Sequence, residues 1–120
     1  VMQKEIDPKN PTLFSKLVIQ GLLRDKMHFE GVVFADNLRT NSIASSVDFK
    51  QRVIRSIDAG ADILVFTNYF ADNASMPFTI NKIITDAIKN GELKEERIAL
   101  SYERIVKFKQ KLSKRGSHVN

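Results

Sequence analysis

Cysteine is absent from the 120 residues. That removes disulfides, thiolate metal ligands and thiol nucleophiles from consideration, although it assigns no redox compartment. Proline and glycine are sparse, at three and five, and no low-complexity linker interrupts the chain. The composition describes one small globular domain or a piece of a larger one. Long hydrophobic runs are missing too. The longest, Val32 to Ala35 and Ile63 to Phe66, fall far short of the roughly 20 apolar residues of a membrane-spanning helix, so no membrane partner is expected. The start, Val1-Met2-Gln3-Lys4-Glu5, carries no apolar leader and no initiator methionine at position 1, which reads as an excised or processed piece.

Acidic residues are missing from one region only. From Lys107 onward there are five basic residues and no acidic ones, while residues 1 to 106 carry 14 of each sign. The net charge of +5 therefore belongs to the C-terminus. Only Phe108 accompanies these cations, whereas a nucleic-acid surface interleaves basic and aromatic residues across a face. They read as a solvated helix end that complements the helix dipole, followed by a basic tail from 114 to 120, and no nucleic-acid partner is expected.

What is present is patterned apolar sequence, 42% of the chain. Leu13, Leu17, Ile19, Leu22, Leu23 and Met27 predict a helix over 13–27, behind Pro11-Thr12 and Ser15 as start signals. Gly31-Val32-Val33-Phe34-Ala35 has no polar alternation and predicts a strand covered on both faces, the kind found in parallel sheets. Val47, Val53, Ile54 and Ile57 mark a second helix that ends at Gly60. Ile63-Leu64-Val65-Phe66 is a second buried strand. Beyond a loop from Asn68 to Pro77, helices are expected near 79–90, with Thr79 as N-cap and Gly91 as stop, and near 94–113. The order is α-β-α-β-α-α. Phe34 and Phe66 stand 32 residues apart, as do Asp36 and Asn68, which is the period of one βα unit. Two parallel strands leave both edges open, so the α/β unit is incomplete without further strands, from an upstream part of the polypeptide or from a second copy.

In barrels and open α/β sheets, reactive groups gather where strands deliver their C-terminal ends into loops. Asp36 and Asn68 hold those positions. Asp36 leaves a buried strand directly, so its carboxylate is expected to be held by a rigid element; the plainer alternative is a turn-forming Asp-Asn pair.

The stretch Phe29-Glu30-Gly31-Val32-Val33-Phe34-Ala35-Asp36-Asn37-Leu38, preceded by Leu22-Leu23-Arg24-Asp25, resembles the segment of glycoside hydrolase family 3 around its catalytic aspartate. Asp7-Pro8 with Asn10-Pro11-Thr12-Leu13 is similar to that family's approach to the helix before its seventh barrel strand. Ala59-Gly60-Ala61-Asp62-Ile63-Leu64 is similar to the entry to its eighth. Residues 87–91, 96–98 and 101–105 resemble its final helices, and the bacterial β-N-acetylhexosaminidases that recycle peptidoglycan are the branch most resembled.

The resemblance implies the last quarter of a (β/α)8 barrel over residues 1–113. It implies Asp36 as the nucleophile of a retaining glycosidase, an N-acetylglucosaminide substrate, no cofactor or metal, and a bacterial cytoplasmic or periplasmic setting; Asn68 is a candidate substrate-binding residue from its position after the second strand, with loop capping as the alternative. Arg39 is a candidate cation beside Asp36. The sequence departs from the pattern where the family usually shows a second acid after the nucleophile and a Met four residues after it; here stand Asn37 and Thr40. The histidine-containing acid/base loop, which this branch carries far upstream, has no counterpart. His28, ahead of the first strand, and His118, in the tail, read as structural residues. An isolated chain of this kind is expected to be inert, and a non-catalytic scaffold is the alternative reading.

Overall fold

A computed structural model describes residues 3–38, 47–67 and 75–116. A 3₁₀ turn, Thr12–Phe14, is followed by a π-helix, Leu17–Lys26, strand β1, Phe34–Ala35, helix α1, Phe49–Ala59, strand β2, Ile63–Leu64, and helices α2, Met76–Lys89, and α3, Glu95–Gly116. The element order matches the α-β-α-β-α-α expectation. Several boundaries do not.

The helix expected over 13–27 is broken at Ser15. Its hydroxyl donates to Asp7 Oδ2 at 2.7 Å and accepts the Val18 N–H at 3.2 Å, so Ser15 caps a helix inside the predicted one. Winding then proceeds with i→i+5 bonds, as in the 3.0 Å bond from Met27 N–H to the Leu22 carbonyl. The apolar spacing contains this pattern. Leu17, Leu22 and Met27, and likewise Val18 and Leu23, recur every five residues, which suits the wider winding better than an α-helix.

Strands β1 and β2 are parallel, with Phe34 opposite Ile63 and Ala35 opposite Leu64. Regular pairing is shorter than the apolar runs predict. At its start the Val33 N–H is taken at 2.9 Å by the Asp62 carboxylate instead of by backbone. The expectation of a strand covered on both faces is also corrected, because Phe34 is 54% exposed while Ala35 is 1% exposed. Among the described residues β1 has a strand partner on one edge only.

Helix α1 begins at Asp48, whose Oδ1 accepts the Gln51 N–H at 2.8 Å. It ends as expected at Gly60, where φ is 128° and an added Cβ would lie 2.6 Å from Ile19 Cγ2. Val53, Ile54 and Ile57 pack with Ala87 and Leu93 in the main core, under Leu64, Phe66 and the isoleucines of α2. Phe49 and Phe66 complete it with ring centroids 5.7 Å apart. Helix α2 starts three residues before the predicted N-cap Thr79, because Pro77 fits the first turn; Thr79 Oγ1 instead donates to the Ser75 carbonyl at 3.1 Å. Gly91, with φ 77°, stops it as predicted and leads to the buried Leu93. Helix α3 runs through Gly116, taking in Lys114 and Arg115, which the sequence reading assigned to a tail. No helix among the described residues is long and apolar enough to cross a membrane.

Candidate active site

Asp36 stands immediately beyond β1, and the ladder around it carries one residue too many. The Val65 N–H donates to the Ala35 carbonyl at 2.9 Å, and the Val65 carbonyl accepts from Leu38 N–H at 3.2 Å. In a regular parallel ladder the second donor would be residue 37. Asp36 and Asn37 therefore form a β-bulge opposite Val65, and Leu38 returns to the same side as Ala35. Both flanking residues are core, at 0% and 1% exposure, packed with Ala61, Leu13 and Leu64. The Asp36–Asn37 peptide bond is cis.

The bulge is fixed from two further directions. Asn37 Nδ2 donates to Thr67 Oγ1 at 2.7 Å and Asn37 Oδ1 accepts the Thr67 N–H at 3.4 Å, tying the loop after β1 to the end of β2. Arg52 of α1, buried, donates from Nη1 to the Leu38 carbonyl at 3.0 Å and from Nε to the Val47 carbonyl at 2.8 Å. Asp36 itself is exposed and makes no hydrogen bond or ion pair among the described residues. It borders a cavity of about 380 Å³ between the π-helix and the open edge of β1, whose walls include Leu13, Leu22, Leu23 and Phe34. The arrangement presents a free carboxylate on a pinned backbone, suited to nucleophilic attack on an electrophilic carbon.

The opposite end of the strand pair holds a second aspartate in reversed circumstances. The Asp62 side chain is fully buried, with Oδ2 taking Arg24 Nη2 at 2.7 Å and the Val33 N–H at 2.9 Å. Its Oδ1 accepts from Ser101 Oγ at 2.7 Å and Arg104 Nη1 at 3.1 Å. Arg97 supports Ser101 at 2.6 Å and donates to the Ile57 and Ala61 carbonyls. Arg24 also donates to the Phe29 and Gly31 carbonyls, fixing the turn into β1. Burial, reinforced by the Arg104 cation, pushes the Arg24 guanidinium below its ordinary value, and Asp62 opposes the shift. Arg97 moves the same way, chiefly through burial. Both start high enough to remain charged. One carboxylate thus joins the π-helix, both strands and α3.

His28 is exposed at this same end of the strands, on a cavity of about 440 Å³ shared with Arg24, Phe29 and Arg104, and so ahead of β1 as the sequence suggests. Asn68, Arg39, Thr40 and His118 lie outside the described residues. Among the described residues no group of three or more His, Asp or Glu is placed to hold a metal ion. Neither Arg52 nor the Asn37–Thr67 tie is among the residues the sequence singles out. The signal for Arg52 was an arginine on the apolar face of α1, between residues 49 and 53.

Residues 1–108 match the family described as glycosyl hydrolase family 3 N terminal domain. The chain belongs to glycoside hydrolase family 3. Within the family it is 35% identical over 68 residues to a β-hexosaminidase of Methylococcus capsulatus, an alignment covering 57% of this chain and 20% of the relative. The family 3 β-N-acetylglucosaminidase of Paenibacillus sp. FPU-7 superposes with a TM-score of 0.77 at 31% identity, over 89% of this chain and 20% of that one. The β-N-acetylglucosaminidase of Thermotoga maritima shares the fold, with a TM-score of 0.78 at 19% identity over 90% of this chain and 23% of its own. This family 3 chain thus has an α/β fold like theirs and spans about a fifth of the length of the curated relatives it matches.

Proposed function

We propose that this family 3 chain contributes the nucleophile of a retaining β-N-acetylhexosaminidase, as the last quarter of a (β/α)8 barrel acting on N-acetylglucosaminides such as peptidoglycan fragments. The observation that carries the reading is Asp36: an exposed carboxylate without a partner among the described residues, on a bulge pinned to the core, in the segment most like the family's catalytic stretch. Active sites of barrels lie at this end of the strands. The open edge of β1 and its apolar cavity of about 380 Å³ suit a neighbouring strand and its side chains, from upstream polypeptide or a second copy.

In this mechanism Asp36 attacks the anomeric carbon as the bond to the leaving oxygen breaks, giving a glycosyl ester on its carboxylate. A proton donor assists departure, then as a base activates the water that cleaves the ester and regenerates Asp36. That donor is expected from outside this chain. Acid/base assistance contributes about 10²–10⁴-fold and positioning of the sugar more, so the 120 residues alone are expected to show no measurable turnover of ordinary substrates and to turn over activated aryl glycosides barely above background. Asn68, from its place after β2, is proposed to contact the sugar.

The test compares an aryl β-N-acetylglucosaminide with three preparations: this chain alone, this chain mixed with the remaining barrel segment, and the same mixture carrying Asp36→Ala. Turnover is expected in the second only. Turnover by the chain alone, dependent on Asp36, would overturn the placement of the acid/base; turnover surviving Asp36→Ala in the mixture would reject Asp36 as nucleophile. An inert mixture that nonetheless binds the sugar would favour the scaffold reading.

A further inference from the structure

Asn37 occupies the position where the resemblance leads one to expect a second acid, and the structure gives its side chain a specific task. The Val65 bonds on either side of the bulge and the Arg52 bond to the Leu38 carbonyl hold its flanks, and none of these three bonds is made to Asp36 or Asn37. The Asn37 amide ties the bulge itself. Its nitrogen and its oxygen both engage Thr67, at 2.7 and 3.4 Å, so the loop leaving β1 is locked to the loop leaving β2 one residue past Asp36. Thr67 in turn follows Phe66, which is packed in both core clusters. The lock thus refers the direction of Asp36 to the core rather than to solvent-exposed chain.

We infer that Asn37, acting through Thr67, is a positioning residue that aims the Asp36 carboxylate at the reacting carbon; the inference rests on the function proposed above. Asn37 does not touch the substrate in this account. A reacting atom displaced by about 1 Å costs on the order of 10²-fold in rate. Loss of the tie therefore lowers kcat, whereas KM, set by groups on the sugar elsewhere, changes little. The two residues act as one unit, so removing both is no worse than removing either.

The first arm uses the chain itself. Thr67→Val keeps the branched shape and deletes the hydroxyl; the Asn37 side-chain amide resonances are expected to shift while the melting temperature holds. Unmoved resonances would overturn the inference. The second arm uses the assembled hydrolase. Asn37→Ala and Thr67→Val are each expected to lower kcat about 10–100-fold with KM nearly constant, the double variant to match the worse single, and Thr67→Ser to restore the rate. Unchanged kcat in the single variants, or fully additive losses, while Asp36→Ala is dead, would overturn the positioning role alone. Full turnover by Asp36→Ala would instead remove the proposed function, and this inference with it.

Discussion

The two ends of the strand pair use the same side chain in opposite ways. At the start of β2, Asp62 is fully buried and its oxygens meet three arginines, Arg24, Arg97 and Arg104, a serine hydroxyl and a backbone N–H. Beyond the end of β1, Asp36 is exposed and its own carboxylate meets nothing among the described residues, while the residues around it are tied down. A buried carboxylate with satisfied oxygens joins elements; a free one on a fixed backbone is available for reaction. The contrast teaches that the backbone beneath an exposed carboxylate can be held rigid without bonds to that carboxylate. Here it comes from Ala35, Leu38, Asn37 and Arg52, which hold the chain and leave the carboxylate unbound.

The comparison breaks most visibly through Asp36. In the assembled hydrolase, Asp36→Ala is expected to lower turnover by about 10³-fold or more and to change stability by less than about 0.5 kcal/mol, since an exposed group without contacts is removed. Matched kinetics and thermal unfolding check both halves. A large loss of stability would mean that Asp36 belongs to the scaffold as Asp62 does.

Asp62→Asn reverses the expectation. Neutralising it leaves Arg24, Arg97 and Arg104 close together in a site where Arg24's side chain is only 6% exposed, and breaking a buried pair typically costs about 3–5 kcal/mol. Denaturant unfolding of the chain should show that loss. An unchanged midpoint would mean that the arginines find other acceptors.

The smallest effect lies at Asp7, a third aspartate with saturated oxygens. Hydrogen bonds from the Ser15 hydroxyl first, then from the Asn10 side chain, hold its carboxyl below the ordinary 3.8. Because the folded value lies below the unfolded one, its stabilisation is fully present above about pH 4 and is lost as pH falls through the folded value. Ser15→Ala should lower stability near pH 7, where the Asp7 stabilisation is fully present, and lower it less in acid, where that stabilisation is already lost, so that the acid side of the profile flattens. An identical acid slope in the variant would remove Asp7 from the acid response.

Much of this layout was legible in the sequence because uninterrupted apolar runs ending in a polar residue mark buried strands and the loops that follow them. Asp36 was found that way, and Gly60 and Gly91 were read as helix ends because a positive φ favours glycine there. The bulge was not legible, since one extra residue in a ladder leaves no trace in composition. Nor was the Asp62 hub: Arg24 and Arg104 lie 38 and 42 residues from it in sequence, Arg97 is likewise distant, and arginine ordinarily reads as solvated. The π-helix had a visible five-residue spacing, but the four-residue spacings among the same residues concealed it. At α2 the predicted cap Thr79 lost to Pro77, which fits a first turn because proline has no N–H to leave unsatisfied.

The central claim is that Asp36 forms the covalent bond to the sugar, and trapping that bond tests it most directly. A mechanism-based fluorinated N-acetylglucosaminide, incubated with the assembled hydrolase and followed by peptide mass mapping, is expected to leave one glycosyl mass on the peptide containing Asp36, and none in Asp36→Ala. A label on a different residue, or turnover that proceeds with no label at all, would contradict the account.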